Sequence, residues 1–262
     1  MEFALGGRKV FAATGGAPFD AARPAVIFLH GAAMDHSVWA LETRYFAHHG
    51  KSVLALDLPG HGRSEGPAPA SIAGYADWLA AAIAAAGLAE AALVGHSMGA
   101  LAALETAARA PARVRALALL GCAARMPVHP DLLAAAARND PAAIELVVAW
   151  AYGKPAHLGG HKGPGLWLLG GGRRVIEQAA PGVLASDLAA CNDYDGALAA
   201  AGRITVPSLV LMGALDRMTP PKAAAPLVAA LKGAKSTVIA QAGHMMMVEK
   251  PDATLAALRE IL

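Results

Sequence analysis

Cysteine is scarce in this chain: two in 262 residues, Cys122 and Cys191. Two thiols cannot build the disulfide framework of a small secreted domain, and no CxxC pair offers a metal site. Two buried free thiols are expected instead. An excess of one charge is missing as well. Lys and Arg number 22 against 20 Asp and Glu, a net +2, which gives no reason to expect a nucleic-acid partner. Basic clusters such as Arg173-Arg174 are short and read as solvated loop faces. Long apolar runs are also absent. Hydrophobic residues make up 56% of the chain, yet Gly, Pro or charge repeatedly interrupts them, short of the roughly 20 residues that cross a bilayer. The first residues, MEFALGGRKVFAAT, carry an early acid and no long apolar core, so no signal peptide is expected there and the cytoplasm is the default location. No internal repeat is found. A chain of this length buries roughly 70–75% of its unfolded surface and can build a core without disulfides or metal.

Short apolar runs are abundant. Lys9–Thr14, Ala25–Leu29, Ser52–Leu56, Ala91–Val94, Val114–Leu120, Val206–Met212 and Ser236–Ala240 read as strands. Their continuous rather than alternating apolar character predicts a mostly parallel sheet covered on both faces. Alanine-rich segments between them predict helices over Ser37–His48, Ile72–Ala86, Met98–Ala108, Pro221–Leu231 and Pro251–Leu262. The alternation implies a layered α/β fold. Residues 125–203 break the rhythm. Pro127, Pro130, Pro141, Pro155, Pro164 and Pro181 punctuate them, and short helices are expected at Asp131–Arg138, Ala142–Ala151 and Val183–Ala190. This stretch reads as a mainly helical cap inserted into a core formed by residues 1–124 and 204–262.

Within ALVGHSMGAL, Ser97 sits between Gly95 and Gly99 where an apolar run gives way to a helix. Glycines flanking a serine allow a tight strand-to-helix turn in which the backbone crowds where a Cβ would clash. The serine is then held at an exposed apex, with the first N–H groups of the next helix beside it. This is the G-x-S-x-G arrangement of a nucleophilic serine.

Four matches in order carry a resemblance: His30-Gly31 after a strand, Asp57-Leu58-Pro59-Gly60-His61-Gly62-Arg63-Ser64 after the next, Gly95 to Gly99, and late Asp216 and His244. Over essentially its whole length the sequence resembles the α/β-hydrolase superfamily, most closely its short capped members: esterases, non-metal haloperoxidases, epoxide hydrolases and C–C bond hydrolases. A serine hydroxyl needs a base to take its proton, usually histidine. His244 lies in a loop between the strand Ser236–Ala240 and the helix from Pro251, at the sheet end where α/β sites gather; the resemblance assigns the same residue. Asp216 follows the strand before it and gives the chain order Ser, Asp, His expected of this fold. Asp193 and Asp195 are weaker rivals because they lie in the expected cap. Two backbone donors should hold the oxyanion: Met98 N–H, after the nucleophile, and, by the resemblance, Ala32 N–H. His30 is expected to support that loop and His96 to be structural or to shape the pocket wall. The Asp57–Ser64 segment reads as an architectural loop rather than a metal site at Asp57 and His61.

Serine at the elbow argues against epoxide hydrolase or haloalkane dehalogenase chemistry, which the resemblance ties to a carboxylate there. Met34, Trp39, Trp150, Trp167 and Met245 are expected to form a fairly apolar substrate pocket. The expectation is a serine hydrolase of a small or medium apolar ester, with a small-molecule substrate and no cofactor. C–C bond hydrolysis with Arg173 or Arg174 holding a dienol acid, lactonase, thioesterase or perhydrolase activity, and a slow-turnover ligand-binding role remain alternatives.

Overall fold

The computed structural model describes residues 1–159 and 165–262, so Pro164 lies outside the described residues. The strands are β1 (Glu2–Leu5), β2 (Arg8–Ala13), β3 (Ala25–Leu29), β4 (Ser52–Leu56), β5 (Ala91–His96), β6 (Val114–Leu120), β7 (Ser208–Gly213) and β8 (Lys235–Ile239). The helices of the core are α1 (Ala40–His48), α2 (Ile72–Ala85) and α3 (Met98–Arg109). Between β6 and β7 come α4 (Pro130–Ala137), α5 (Pro141–Ala151), α6 (Lys154–His157), α7 (Leu168–Glu177), α8 (Val183–Asp193) and α9 (Ala197–Ala201). The chain ends with α10 (Pro221–Ala230), α11 (Met246–Glu249) and α12 (Pro251–Leu258). Among the described residues no helix is long and apolar enough to cross a membrane.

The strands form one sheet in the order β1-β2-β4-β3-β5-β6-β7-β8. From β4 to β8 every pairing is parallel, and the β1–β2 hairpin joins antiparallel through Ala12 and Ala13 of β2. The uninterrupted apolar strands are explained by two cores. On β3, Ala25, Ile27 and Leu29 face one core while Val26 and Phe28 face the other. On β5, Leu93 and Val94 divide in the same way. Side chains alternate across a strand, so a strand covered on both faces must be apolar at every position. The first core is filled by α2, through Ile72, Tyr75, Leu79 and Ile83, and by α3, through Leu101 and Leu104. Each such side chain contributes about 1.5–3 kcal/mol on burial. The second core takes Phe46 from α1 and Leu258 from α12, and it extends into α4, α5 and α8 through Leu132, Val147 and Leu188.

The layered, mostly parallel α/β architecture expected from the sequence is the one observed, and all seven expected strands are present to within two residues at each end. Strand β1 and helices α6, α7, α9 and α11 were not foreseen. The last four occupy segments whose glycines or brevity mask a helical period; α7 carries Gly170, Gly171 and Gly172. The two cysteines are free and buried.

Candidate active site

The carboxyl ends of four parallel strands carry the loops that matter. β5 ends at His96, and Ser97 follows with φ 54° and ψ −117° before α3 begins at Met98. A positive φ is costly for a residue with a Cβ, on the order of 1–3 kcal/mol, and persists only where its surroundings enforce it. Here the enforcement is steric. A Cβ on Gly95 would stand 2.3 Å from Gly99 O, and one on Gly99 would stand 2.5 Å from His30 O. Gly95 lets the first turn of α3 close against β5, and Gly99 lets it close against the end of β3. Ser97 N–H donates to Leu120 O at 2.9 Å, which ties the apex to β6.

Asp216 and His244 stand on the loops after β7 and β8. His244 Nδ1–H donates to Asp216 Oδ2 at 2.8 Å, with the two side chains only 2% and 0% exposed. Three further donors converge on the carboxylate: Thr219 Oγ1–H on Oδ2, and the backbone N–H groups of Met218 and Thr219 on Oδ1, each at 2.8 Å. Burial alone would raise the pKa of Asp216. The neighbouring His244 charge and its hydrogen bond, with those from Thr219, outweigh burial and hold this carboxyl well below the usual range. Because Nδ1 faces an acceptor, the neutral form of the imidazole would carry its proton there and its lone pair on Nε2. His244 Nε2 is buried and has no hydrogen-bond partner among the described residues. Ser97 and His244 line one cavity. Contacts of a nucleophile with its base are often long without substrate and tighten on binding.

The loop expected to supply the second oxyanion donor leaves β3. Gly31 O accepts from His30 Nδ1 at 2.8 Å and from Met34 N at 3.2 Å. That carbonyl is turned inward, so the N–H of the same trans peptide, on Ala32, points the other way, and Ala32 lines the cavity beside Ser97. His30 Nε2 accepts Leu58 N–H at 3.1 Å, and burial, with His61 nearby, lowers its pKa to about 4. It is a neutral brace for the loop. His96 Nε2–H donates to His244 O at 3.0 Å; burial and the adjacent His244 push its pKa well down. The ring therefore supports the His244 loop as a neutral group and also lines the cavity.

The cavity is ≈ 280 Å³ and is walled on one side by Ala32, Met34, Ser97 and His244, and on the other by Met126, Leu132, Val147, Trp150, Leu184 and Leu188. Of the five expected pocket residues, Met34 and Trp150 line it. Trp39, Met245 and Trp167 do not. Trp39 is 0% exposed and packs against Phe28, with ring centroids 5.2 Å apart, because its bulk completes the core between β3 and α1. Met245 is likewise sealed in that core. Trp167 is 64% exposed at the start of α7, away from the cavity. The arginine at the cavity is Arg217, beside Asp216, not a residue of α7. Arg173 pairs with Glu145 and Glu177, and Arg174 with Glu177, all on the surface. Asp193 and Asp195 are exposed.

Thr219 was not foreseen; the spacing Asp216-x-x-Thr219 is the signal that could have revealed it. Glu249 was also missed. Its buried carboxylate accepts the N–H groups of Gly153 and Gly243, both at 2.9 Å, and so pins the His244 loop to the end of α5. The Asp57–Ser64 segment is tied down internally: Asp57 Oδ1 accepts His36 N–H and Nδ1–H, Oδ2 accepts Arg63 N–H, all at 2.8 Å, and Ser64 Oγ accepts Phe11 N–H at 2.9 Å. Asp35, His36 and Asp57 bring ligand-type atoms within 4.8 Å of one another, but both Asp57 oxygens are already engaged by these donors.

The comparisons with known proteins agree with this fold. The model of the alpha/beta hydrolase family matches residues 26–258. A pimeloyl-[acyl-carrier protein] methyl ester esterase of Neisseria meningitidis serogroup B is 33% identical over 225 residues, covering 80% of this chain and 82% of the relative. Among solved structures, a thermophilic esterase superposes with a TM-score of 0.81 at 27% identity, over 99% of this chain and 95% of the other. The enol-lactonase of Burkholderia xenovorans LB400 superposes with a TM-score of 0.86 at 24% identity, over 100% and 99%; at that identity the likeness is one of fold.

Proposed function

This chain belongs to the alpha/beta hydrolase family and is an esterase-like hydrolase, and from that premise we propose that it cleaves small or medium, fairly apolar carboxylic esters by acyl transfer through Ser97, His244 and Asp216. The observation that carries this reading is the pairing of His244: Asp216 holds its Nδ1 at 2.8 Å, its Nε2 has no hydrogen-bond partner among the described residues, and the residue lines the same cavity as Ser97. In the first step Ser97 Oγ attacks the ester carbonyl as His244 Nε2 takes its proton. The N–H groups of Ala32 and Met98 hold the negative oxygen, each such donor being worth roughly 3–4 kcal/mol in a well-studied hydrolase. His244 then protonates the departing alcohol. Water, activated by His244, releases the acid and restores Ser97. We read residues 125–203 as a cap, since α4, α5 and α8 supply the far wall of the cavity. Its modest volume and apolar wall favour acyl or alcohol groups of a few carbons. Free, buried Cys122 and Cys191 suit the reducing cytoplasm.

A second reading keeps the chemistry and changes the substrate. The relatives act, by their name, on a methyl ester of an acyl chain borne on a carrier protein. Arg217 and His129 are exposed residues at this cavity, and they would suit a substrate with an anionic portion outside it. C–C bond hydrolysis loses support because Arg173 and Arg174 are paired with glutamates on the surface.

The test is a fluorophosphonate label together with a panel of neutral esters, carboxylate-bearing methyl esters, lactones and thioesters. Label on Ser97, and ester turnover that Ser97→Ala reduces by at least about 10³-fold without loss of folding, is the expected result. Undiminished turnover by pure Ser97→Ala ends the acyl-transfer reading. Labelling with no turnover of any panel member would favour a ligand-binding role.

A further inference from the structure

Asp187 lies on α8, within the inserted segment, and is fully buried. An aspartate so placed in an alanine-rich helix calls for an explanation. Its partners come from three separate elements. Oδ1 accepts Tyr75 O–H from α2 at 2.7 Å. Oδ2 accepts His61 Nε2–H at 2.7 Å and Ala33 N–H at 2.8 Å. The other nitrogen of His61, Nδ1, faces Pro59 O at 3.0 Å. Both ring nitrogens thus meet acceptors, an arrangement that favours the doubly protonated ring. Burial opposes that charge, yet the bond to Asp187 raises the pKa of His61 above its ordinary value. The result is a buried, fully hydrogen-bonded pair.

What this pair holds is the oxyanion loop. Ala33 has φ 52°, a left-handed conformation that a residue with a Cβ adopts only when held. Its N–H is bound to Asp187 and so fixes the peptide immediately after Ala32. The peptide on the other side of Ala32 is fixed through Gly31 O, bound by His30 and Met34. With both flanking peptide planes set, the direction of Ala32 N–H is set. Remove the Asp187 bond and the left-handed turn at Ala33 is left to the 3.2 Å Met34 N–H to Gly31 O bond, so relaxation of Ala33 towards a negative φ would swing the Cα of Ala32 that the two peptides share.

We propose that Asp187 is a positioning residue of the ester hydrolysis: from the inserted helix α8 it holds Ala33 in its left-handed turn and thereby aims Ala32 N–H at the developing oxyanion. This rests on the acyl-transfer reading above. It makes the oxyanion donor conditional on the docking of α8. The plainer alternative is that Asp187 only fastens α8 to α2 through Tyr75.

The two are separated by Asp187→Asn and Tyr75→Phe, measured beside the parent. Asn keeps the size but offers one oxygen to three donors. The expectation for Asp187→Asn is a kcat lower by about 10–100-fold, the effect of a displaced rather than a deleted donor. KM should stay within about threefold, and affinity for an alkyl trifluoromethyl ketone, which forms a tetrahedral adduct on the serine, should fall in step with kcat/KM. Tyr75→Phe, which loses a bond to the same carboxylate but not the loop, should keep kcat within about threefold. If Asp187→Asn fails to fold, lactic acid installed at position 33 replaces only that N–H with oxygen and should give the same loss of kcat. A kcat within about threefold of the parent in Asp187→Asn, or in the lactic-acid variant where Asp187→Asn does not fold, overturns the proposal, as does a loss in Tyr75→Phe equal to that in Asp187→Asn. Failure of the underlying reading looks different: the parent would not label at Ser97 with fluorophosphonate, or Ser97→Ala would still turn over.

Discussion

Two regions of the molecule meet at Ser97, and they are packed to different standards. In the sheet and its flanking helices the backbones themselves touch. Gly99 stands where a Cβ would be 2.5 Å from His30 O, and the strands β3 to β7 carry no exposed residue. In the helices between β6 and β7 the close contacts are made by side chains, a Cβ on Gly172 standing 2.1 Å from the Tyr152 hydroxyl, and they alternate with open surface. A Cβ on Gly171 would meet nothing within 4 Å, and Trp167 lies largely in solvent. Ser97, Asp216 and His244 belong to the first region; the second contributes cavity wall and a few buried polar contacts. The lesson is that tolerance to substitution should follow packing rather than nearness to the chemistry.

The largest effect that would sharpen this contrast is at Asp216. Asp216→Asn keeps the shape but disturbs the tautomer of His244, and kcat should fall by about 10⁴-fold, as in the best-studied Ser-His-Asp enzyme; a loss under tenfold would remove Asp216 from the mechanism. Next comes Gly99→Ala. The added methyl has only rigid backbone to displace, so the loss should reach the top of the about 1–3 kcal/mol range for overpacking. That is a drop in Tm of roughly 5–10 °C for a domain of this size. Unchanged Tm would mean that the elbow is looser than described.

Glu42 is the exception inside the first region, and its effect depends on pH. The side chain is 1% exposed on α1, and neither carboxyl oxygen has a partner among the described residues. Burial pushes its pKa up to about 8. A folded-state pKa above the unfolded one means that the folded protein binds the extra proton, so stability is full below about 4.5 and declines as pH rises towards about 8. Glu42→Gln should therefore match the parent at pH 5 and exceed it at pH 9 in thermal melts. A gap that does not change with pH would break the assignment. The smallest effect is expected in the second region. Gly171→Ala, inside α7 with open space around it, should stabilise by up to about 1 kcal/mol. The same substitution would then have opposite signs in the two regions, and destabilisation at Gly171 would erase the contrast.

The same difference decides what was legible in the sequence. The sheet could be read because strands covered on both faces must be apolar throughout, as Ala25–Leu29 is. The meeting of Ser97, Asp216 and His244 at one sheet end was legible from Gly95 and Gly99, from chain order, and from the strand ends that precede each residue. The cavity wall was not. Leu132, Leu184 and Leu188 look like any core leucine, and nothing local tells that Trp39 is sealed between β3 and α1 while Trp150 faces the cavity. Asp187 was invisible because its partners, Ala33, His61 and Tyr75, are each more than 110 residues away in sequence. Long-range polar pairing leaves no periodic trace.

One contact bears on how such proteins can be rebuilt. Ala151 O, at the last residue of α5, accepts both His244 N–H at 2.7 Å and Met245 N–H at 3.2 Å. The proposed general base is therefore suspended from the very segment an engineer would exchange to change selectivity. A chimera carrying a foreign insert inherits a foreign hook for the imidazole, so an inactive graft is evidence of a mishung base before it is evidence of a wrong pocket, and residues 151–153 should travel with the recipient rather than with the donor.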